Sequence, residues 1–209
     1  MSDRWRGVVR DGYDEVATRY LADRPTDGGD IAALAELVER LVPRSRVLDA
    51  GCGAGVPVTR QLVAAGLTTV GLDFSIKQLE LARGLVPEAD PVQGDLASLP
   101  FPTASFDAVV SYYAIIHVPR ADHAAVFAEV RRVLRPGGWS LLCVGAGDLP
   151  EDHDPESWLG APMFWSHFDA PTNRGLIRDA GLEIVSDQEI PDPMGHRGHL
   201  FVLARRPDD

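Results

Sequence analysis

The stretch VLDAGCGAG, Val47 to Gly55, decides the fold. An apolar run ends in an acid, Asp49, and alternating glycines follow. Next comes VPVTRQLVAAG, which reads as a helix ended by Gly66. The unit is therefore strand, glycine turn, helix. Gly51, Gly53 and Gly55 let the backbone bend sharply and let a ligand lie against bare main chain. A helix starting near Val56 presents unpaired N–H groups and a positive dipole end to that ligand.

The same alternation continues outward. LTTVGLD is a β-branched strand ending at Asp73, and SIKQLELARGL is a helix capped by Ser75. ADPVQGD holds a short strand before Asp95. FDAVVSYYAI is apolar on consecutive residues, as a strand covered on both faces requires. ADHAAVFAEVRRVLRPGG reads as a helix running to Pro136, and WSLLCVGA as another buried strand. Upstream, YDEVATRYLADR and IAALAELVERLV are helices, the second with Asp30 as its N-cap. Downstream, APTNRGLIRDAG is a helix, and LEIVSDQEI and HLFVLARR form an antiparallel hairpin at the sheet edge. Alternating strands and helices with short links predict an α/β fold, a parallel sheet with helices on both faces. Residues 148–168 have no clear period and are rich in Pro, Asp, Trp and Phe. Insertions of this size in compact domains are often functional.

Bulk composition narrows the function. The chain has 209 residues, 45% of them hydrophobic, which suits one sizeable core. A formal net charge of −11 argues against a broad nucleic-acid-binding face. Two cysteines, Cys52 and Cys143, are too few for a disulfide scaffold and predict reduced thiols in the cytoplasm. The first residues lack the apolar core of a signal peptide, and no stretch approaches eighteen apolar residues, so no membrane association is expected.

The acids select the ligand. A dinucleotide fold wants G-x-G-x-x-G; here the spacing is G-x-G-x-G, with Val56 in the place of the third glycine. Asp73 stands where a carboxylate accepts the ribose hydroxyls of an adenosine-bearing ligand. Asp49 would crowd a pyrophosphate with like charge but suits an ammonium or sulfonium. Asp95 can accept from an exocyclic adenine amine while the Leu96 N–H reaches a ring nitrogen. Taken alone, Asp73 also fits a helix cap and Asp95 a turn residue.

VLDAGCGAG, VGLDFS, GDLASLPF, FDAVVSYYAIIHV and LRPGGWSLL, five pieces in order, resemble the class I S-adenosylmethionine-dependent methyltransferases. The resemblance implies a Rossmann-like three-layer sandwich with a seven-stranded, mostly parallel sheet. It implies S-adenosylmethionine as cofactor. Asp49, Gly51 and Gly53 would hold the methionine portion, with Cys52 supplying backbone. Asp73 would take the ribose, Phe74 cover one adenine face, and Asp95 and Leu96 fix the adenine. Ser111 and Tyr112 would lie beside the sulfonium. Residues 1–209 are expected to form one domain. It divides into a helical cap (1–42), a cofactor-binding core (43–147), a substrate-side segment (148–168) and a C-terminal helix and hairpin (169–209).

YDEVATRY resembles the capping helix of the small-molecule branch, with Tyr20 on the cofactor and Tyr13 toward the substrate. Both also fit plain helix packing. Trp165 and Phe168 are candidate walls of a substrate pocket. His117, just past the fourth strand, is the first candidate for a catalytic base and His167 the second. His196 and His199 are expected at the surface, and His123 on a solvated helix face. EDHD (Glu151 to Asp154) reads as a solvated acidic loop, not a metal site. The expected reaction is methyl transfer to a small molecule by a monomer or homodimer. A non-catalytic cofactor-binding accessory subunit and a nicotinamide-dependent reductase are the alternatives.

Overall fold

The structure is a computed structural model that describes residues 2–150, 156–195 and 198–208. Its helices are α1 (Ser2–Asp23), α2 (Gly29–Val38), α3 (Val58–Ala64), α4 (Ile76–Leu85), α5 (His123–Val133) and α6 (Ala170–Asp179). The strands are β1 (Arg46–Ala50), β2 (Thr68–Asp73), β3 (Asp90–Gln93), β4 (Phe106–Ser111), β5 (Leu134–Gly145), β6 (Glu156–Trp158), β7 (Ala161–Met163), β8 (Glu183–Pro191) and β9 (Gly198–Arg205). Among the described residues, seven strands form one sheet in the order β3-β2-β1-β4-β5-β9-β8. β1 to β5 pair in parallel, and β9 is antiparallel to both β5 and β8. The fold is thus the expected Rossmann-like α/β sandwich with an antiparallel edge hairpin. Among the described residues, no helix is long and apolar enough to cross a membrane.

Alternation along the strands divides the core. Leu48 and Ala50 face the layer of α5 and α6, with Val126, Phe127, Val130 and Ile177. Val47 faces the other layer, with Leu34 and Leu37 of α2 and Leu62 of α3. Because side chains alternate, Asp49 falls on the α2/α3 side. Local chemistry sets the boundaries. The Ser75 hydroxyl caps α4 by accepting the Gln78 N–H, and Asp169 caps α6 by accepting the Thr172 N–H. Gly66, at φ 77°, closes the turn after α3. From β1 the chain steps outward to β3 and then crosses back to β4 on the other side of β1. Ligands in open α/β sheets bind outside the strand carboxyl ends at such a reversal.

Several sequence expectations are corrected. Gly28, not Asp30, is the N-cap of α2; Asp30 lies in the first turn, buried against Arg24. α5 stops at Val133, because buried Leu134 already pairs with Phe106 and the Pro-Gly-Gly run bulges out of β5. β4 ends at Ser111; Tyr113, at φ 54°, then turns the chain away from the sheet. α3 begins at Val58. Part of the segment read as irregular is the β6–β7 hairpin, whose Met163 and Phe164 pack with Val9 of α1. His123 is fully buried, its ring beside Phe127 and Phe168. His199 is also buried, beside Tyr113 and paired with Asp192. His196 and the EDHD run lie outside the described residues.

Candidate active site

A cleft opens at the carboxyl ends of β1, β2 and β4. Asp49 sits at its base, almost wholly buried. One carboxylate oxygen accepts the Thr59 hydroxyl of α3 at 2.6 Å. The other, Oδ1, has no hydrogen-bond partner among the described residues. Loss of hydration pushes this carboxyl up to about 7, with Thr59 opposing the shift and the nearby Asp73 reinforcing it. A buried acid with one unmet oxygen is costly by itself and a ready grip for a cation.

Asp73, at the end of β2, stitches the glycine turn to α4. Its two oxygens accept the Gly53 and Ser75 N–H groups, each at 2.9 Å. Burial in the cleft raises it to about 6 against the pull of those bonds. Gly51 and Gly53 line the cleft at φ 86° and 54°. A side chain at Gly51 would also run into the Ala114 methyl. Gly51→Ala is therefore expected to cost roughly 2 kcal/mol or more, from left-handed strain and overpacking. A urea melt reads the loss as a lower midpoint; an unchanged midpoint would contradict the steric assignment.

Phe74, Asp95 and Leu96 form the rim over β2 and β3. Asp95 is engaged there in a way the sequence did not announce: Arg6 of α1 pairs with it at 2.9 Å and with Asp122 at 2.9 Å. Cys52 lines the inner cleft beside Gly53. Tyr112 also lines it, its hydroxyl donated to the Asp30 carbonyl at 2.8 Å. Ser111 is among the residues turned away; its hydroxyl donates to the Ala50 carbonyl and ties β4 to β1.

α1 lies across the cleft. Asp14 accepts the Ser75 hydroxyl at 2.5 Å and the Lys77 N–H at 3.2 Å, fastening α1 to the start of α4. Beyond α1 lies a second cavity of about 400 Å³, within the range of small-ligand pockets. Trp158, Trp165, His167 and His199 line it. Tyr13, Tyr20, Tyr113 and His117 line both this cavity and the cleft, so they form the junction. Phe168 is not at either; it packs under Arg120 and against His123.

The junction holds a defined hydrogen-bond chain. His117 Nδ1 meets the Phe164 carbonyl at 2.7 Å. A carbonyl only accepts, so Nδ1 carries the proton and Nε2 presents a lone pair. Tyr13 donates its hydroxyl to that Nε2 at 2.9 Å. Burial drives the imidazole down to about 4 and keeps it neutral at pH 7. His117 thus meets the cleft through Tyr13, not with a bare nitrogen. His167 Nδ1 donates to the Gly147 carbonyl at 2.8 Å. Arg24 escaped sequence reading inside a segment read as a helix break. It is buried, pairs with Asp30 at 2.6 Å, stacks on Tyr113 and lines both the inner cleft and the cavity.

Residues 47–138 match the model of a methyltransferase domain family. The 27-O-demethylrifamycin SV methyltransferase of Amycolatopsis mediterranei is 36% identical over 180 residues, which cover 76% of this chain and 65% of that one. The 24-methylenesterol C-methyltransferase 2 of Oryza sativa subsp. japonica is 36% identical over 167 residues, 72% of this chain and 45% of that one. The chain spans between about a quarter and two thirds of the length of such curated relatives. A solved structure of similar fold is the Burkholderia thailandensis 1,6-didemethyltoxoflavin-N1-methyltransferase with 1,6-didemethyltoxoflavin and S-adenosylhomocysteine bound. Its TM-score is 0.76 at 22% identity, covering 100% of this chain and 91% of that one. With the glycine turn, the strand-tip acids and the sheet order in place, residues 47–138 match a methyltransferase domain family, and the chain is similar to the class I S-adenosylmethionine-dependent methyltransferases.

Proposed function

We propose that the protein transfers a methyl group from S-adenosylmethionine to a small molecule held in the aromatic cavity. The observation that carries this reading is the unmet Oδ1 of Asp49, buried at the base of a cleft joined to that cavity at Tyr13, Tyr20, Tyr113 and His117. The cofactor fits on the structure's own terms. Asp49 offers an orphaned anionic oxygen for the cofactor's ammonium, and Gly51 and Gly53 leave room against the backbone. Arg24 stands across the same inner cleft, placed for its carboxylate. Asp73 offers carboxylate oxygens to the ribose, and Phe74 and Leu96 offer apolar faces to the adenine.

When bound, the cofactor supplies an electrophilic methyl on a sulfonium. The protein's contribution is alignment and exclusion of water. Holding two reactants in line is worth about 7–11 kcal/mol in well-oriented cases. α1, pinned by Asp14 and Arg6, closes the top of the cleft, and Tyr13 and Tyr20 wall the path between donor and acceptor. At the junction, the neutral His117 is oriented by Phe164 to accept a proton at Nε2.

Calorimetric titration of the purified chain with S-adenosylmethionine and S-adenosylhomocysteine tests the reading. Micromolar binding of both, with NADH silent, is the expected result. Tight NADH binding without a response to the methionine-derived ligands would overturn it.

A further inference from the structure

The aromatic cavity carries more information than its size. Its walls include Tyr13, Tyr20, Tyr113, Trp158 and Trp165, with ring pairs at 5.4–6.1 Å around Trp158. Such walls suit either a cation or a flat ring. The charges decide between them. Among the described lining residues the acid is Asp192, and both its oxygens are engaged, one by His199 Nε2 at 3.2 Å and one by the Met194 N–H at 2.8 Å. Arg24, ion-paired with Asp30, stands on the same wall. Among the described walls a cationic guest finds no free carboxylate oxygen, whereas a neutral, electron-rich ring stacks on them.

Resting on the methyl-transfer reading, we infer that the acceptor is a planar aromatic molecule with an acidic hydroxyl, and that Tyr13 takes the proton from that hydroxyl while passing its own to His117. The acceptor oxygen forms a bond to the methyl carbon as the carbon–sulfur bond breaks, and sulfur leaves as a neutral thioether. The proton leaves the acceptor oxygen for the Tyr13 oxygen, and the Tyr13 proton moves to His117 Nε2. The positive charge lost from sulfur reappears on the imidazolium, so charge and atoms balance. Tyr13 lines both the cleft and the cavity and already donates to Nε2, so the relay needs no rearrangement.

The weakness of the buried imidazole as a base supports an acidic acceptor. Burial holds the His117 imidazole low, to about 4, so Nε2 takes a proton more readily from a phenol than from a far less acidic aliphatic hydroxyl. The phenol's proton becomes more acidic still as the methyl bond forms on its oxygen.

The test uses the whole chain with three planar phenols: 1-naphthol, 7-hydroxycoumarin and quercetin. Binding is read by quenching of tryptophan fluorescence with S-adenosylhomocysteine present, and product by mass and chromatography. At least one phenol is expected to bind below about 100 μM and to yield its O-methyl ether. Naphthalene should bind within about threefold of 1-naphthol and give no product. Tyr13→Phe keeps the ring and should lower kcat about 100-fold or more, leaving KM and the cofactor Kd within about threefold. If the cofactor binds but no phenol does, or choline quenches in their place, the acceptor class is wrong and methyl transfer stands. Methylation at ring carbon, or full turnover by Tyr13→Phe, overturns the relay. Absence of cofactor binding removes both readings together.

Discussion

Asp49→Asn is expected to weaken S-adenosylmethionine binding by about 30-fold to 1,000-fold, the ~2–4 kcal/mol that removing one partner of a buried charge pair costs. The same substitution should stabilise the free protein above pH 7. The folded carboxyl titrates near 7 and its unfolded counterpart near 3.8, so the native state binds the extra proton between those values. Stability therefore falls as pH rises through 7, where a buried carboxylate must exist with Oδ1 unmet. Asparagine keeps an acceptor for the Thr59 hydroxyl and carries no charge. At pH 8 the variant should gain on the order of 2–4 kcal/mol in urea melts, and the difference should shrink toward pH 5. Cofactor affinity has the opposite slope. The ligand's ammonium requires ionised Asp49, so binding below pH 7 releases a proton. Wild-type affinity should rise about tenfold between pH 6 and pH 8, and that rise should be missing from Asp49→Asn. Equal cofactor affinity in the two proteins would contradict the role given to Asp49.

Asp73→Ala should abolish binding for a different reason. Its carboxylate holds Gly53 and Ser75 as well as facing the cleft. Removing it leaves two N–H groups without their acceptors, a loss of about 1–3 kcal/mol each where they stay buried. Affinity for S-adenosylmethionine should drop about 100-fold or more, since the ribose loses its acceptor and the turn its anchor. Adenosine separates the two acids. Its affinity should fall as far in Asp73→Ala as that of the full cofactor, yet change less than about threefold in Asp49→Asn, because adenosine has no ammonium. If adenosine loses equally in both, the division of labour along the cleft is wrong. Asp73→Asn is a useful companion: it keeps one acceptor but turns an NH₂ toward the second N–H donor, so it should fall between wild type and alanine.

The sheet and the strand-tip acids were legible because their signals are local. A consecutive apolar run, a glycine turn and an acid at the strand end are set by neighbours within a few residues. Ser75 as a cap was readable for the same reason. What stayed hidden depends on long-range partners. Arg24 sits in a polar, glycine-rich stretch that reads as a break; only folding brings it against Asp30, Tyr113 and the cavity. Arg6 meets Asp95 across nearly ninety residues of chain. His123 reads as solvated from helix periodicity alone, but Phe168 from the far side of the β6–β7 hairpin covers it. The same packing took Phe168 away from the cavity. His117 stands out in the sequence by its place after β4. Its tautomer and its Tyr13 partner come from Phe164 and α1, 47 and 104 residues distant in sequence.

The proposed methyl transfer needs one arrangement: a cofactor held by Asp49 and Asp73, with its sulfur turned toward the aromatic cavity. A crystal structure with S-adenosylhomocysteine tests this most directly. The expected density places the amino group on Asp49 Oδ1, the ribose hydroxyls on Asp73, the adenine between Phe74 and Leu96, and the sulfur at the junction of Tyr13, Tyr20, Tyr113 and His117. A ligand bound elsewhere, or one whose sulfur faces solvent while Asp49 Oδ1 stays unmet, would contradict it.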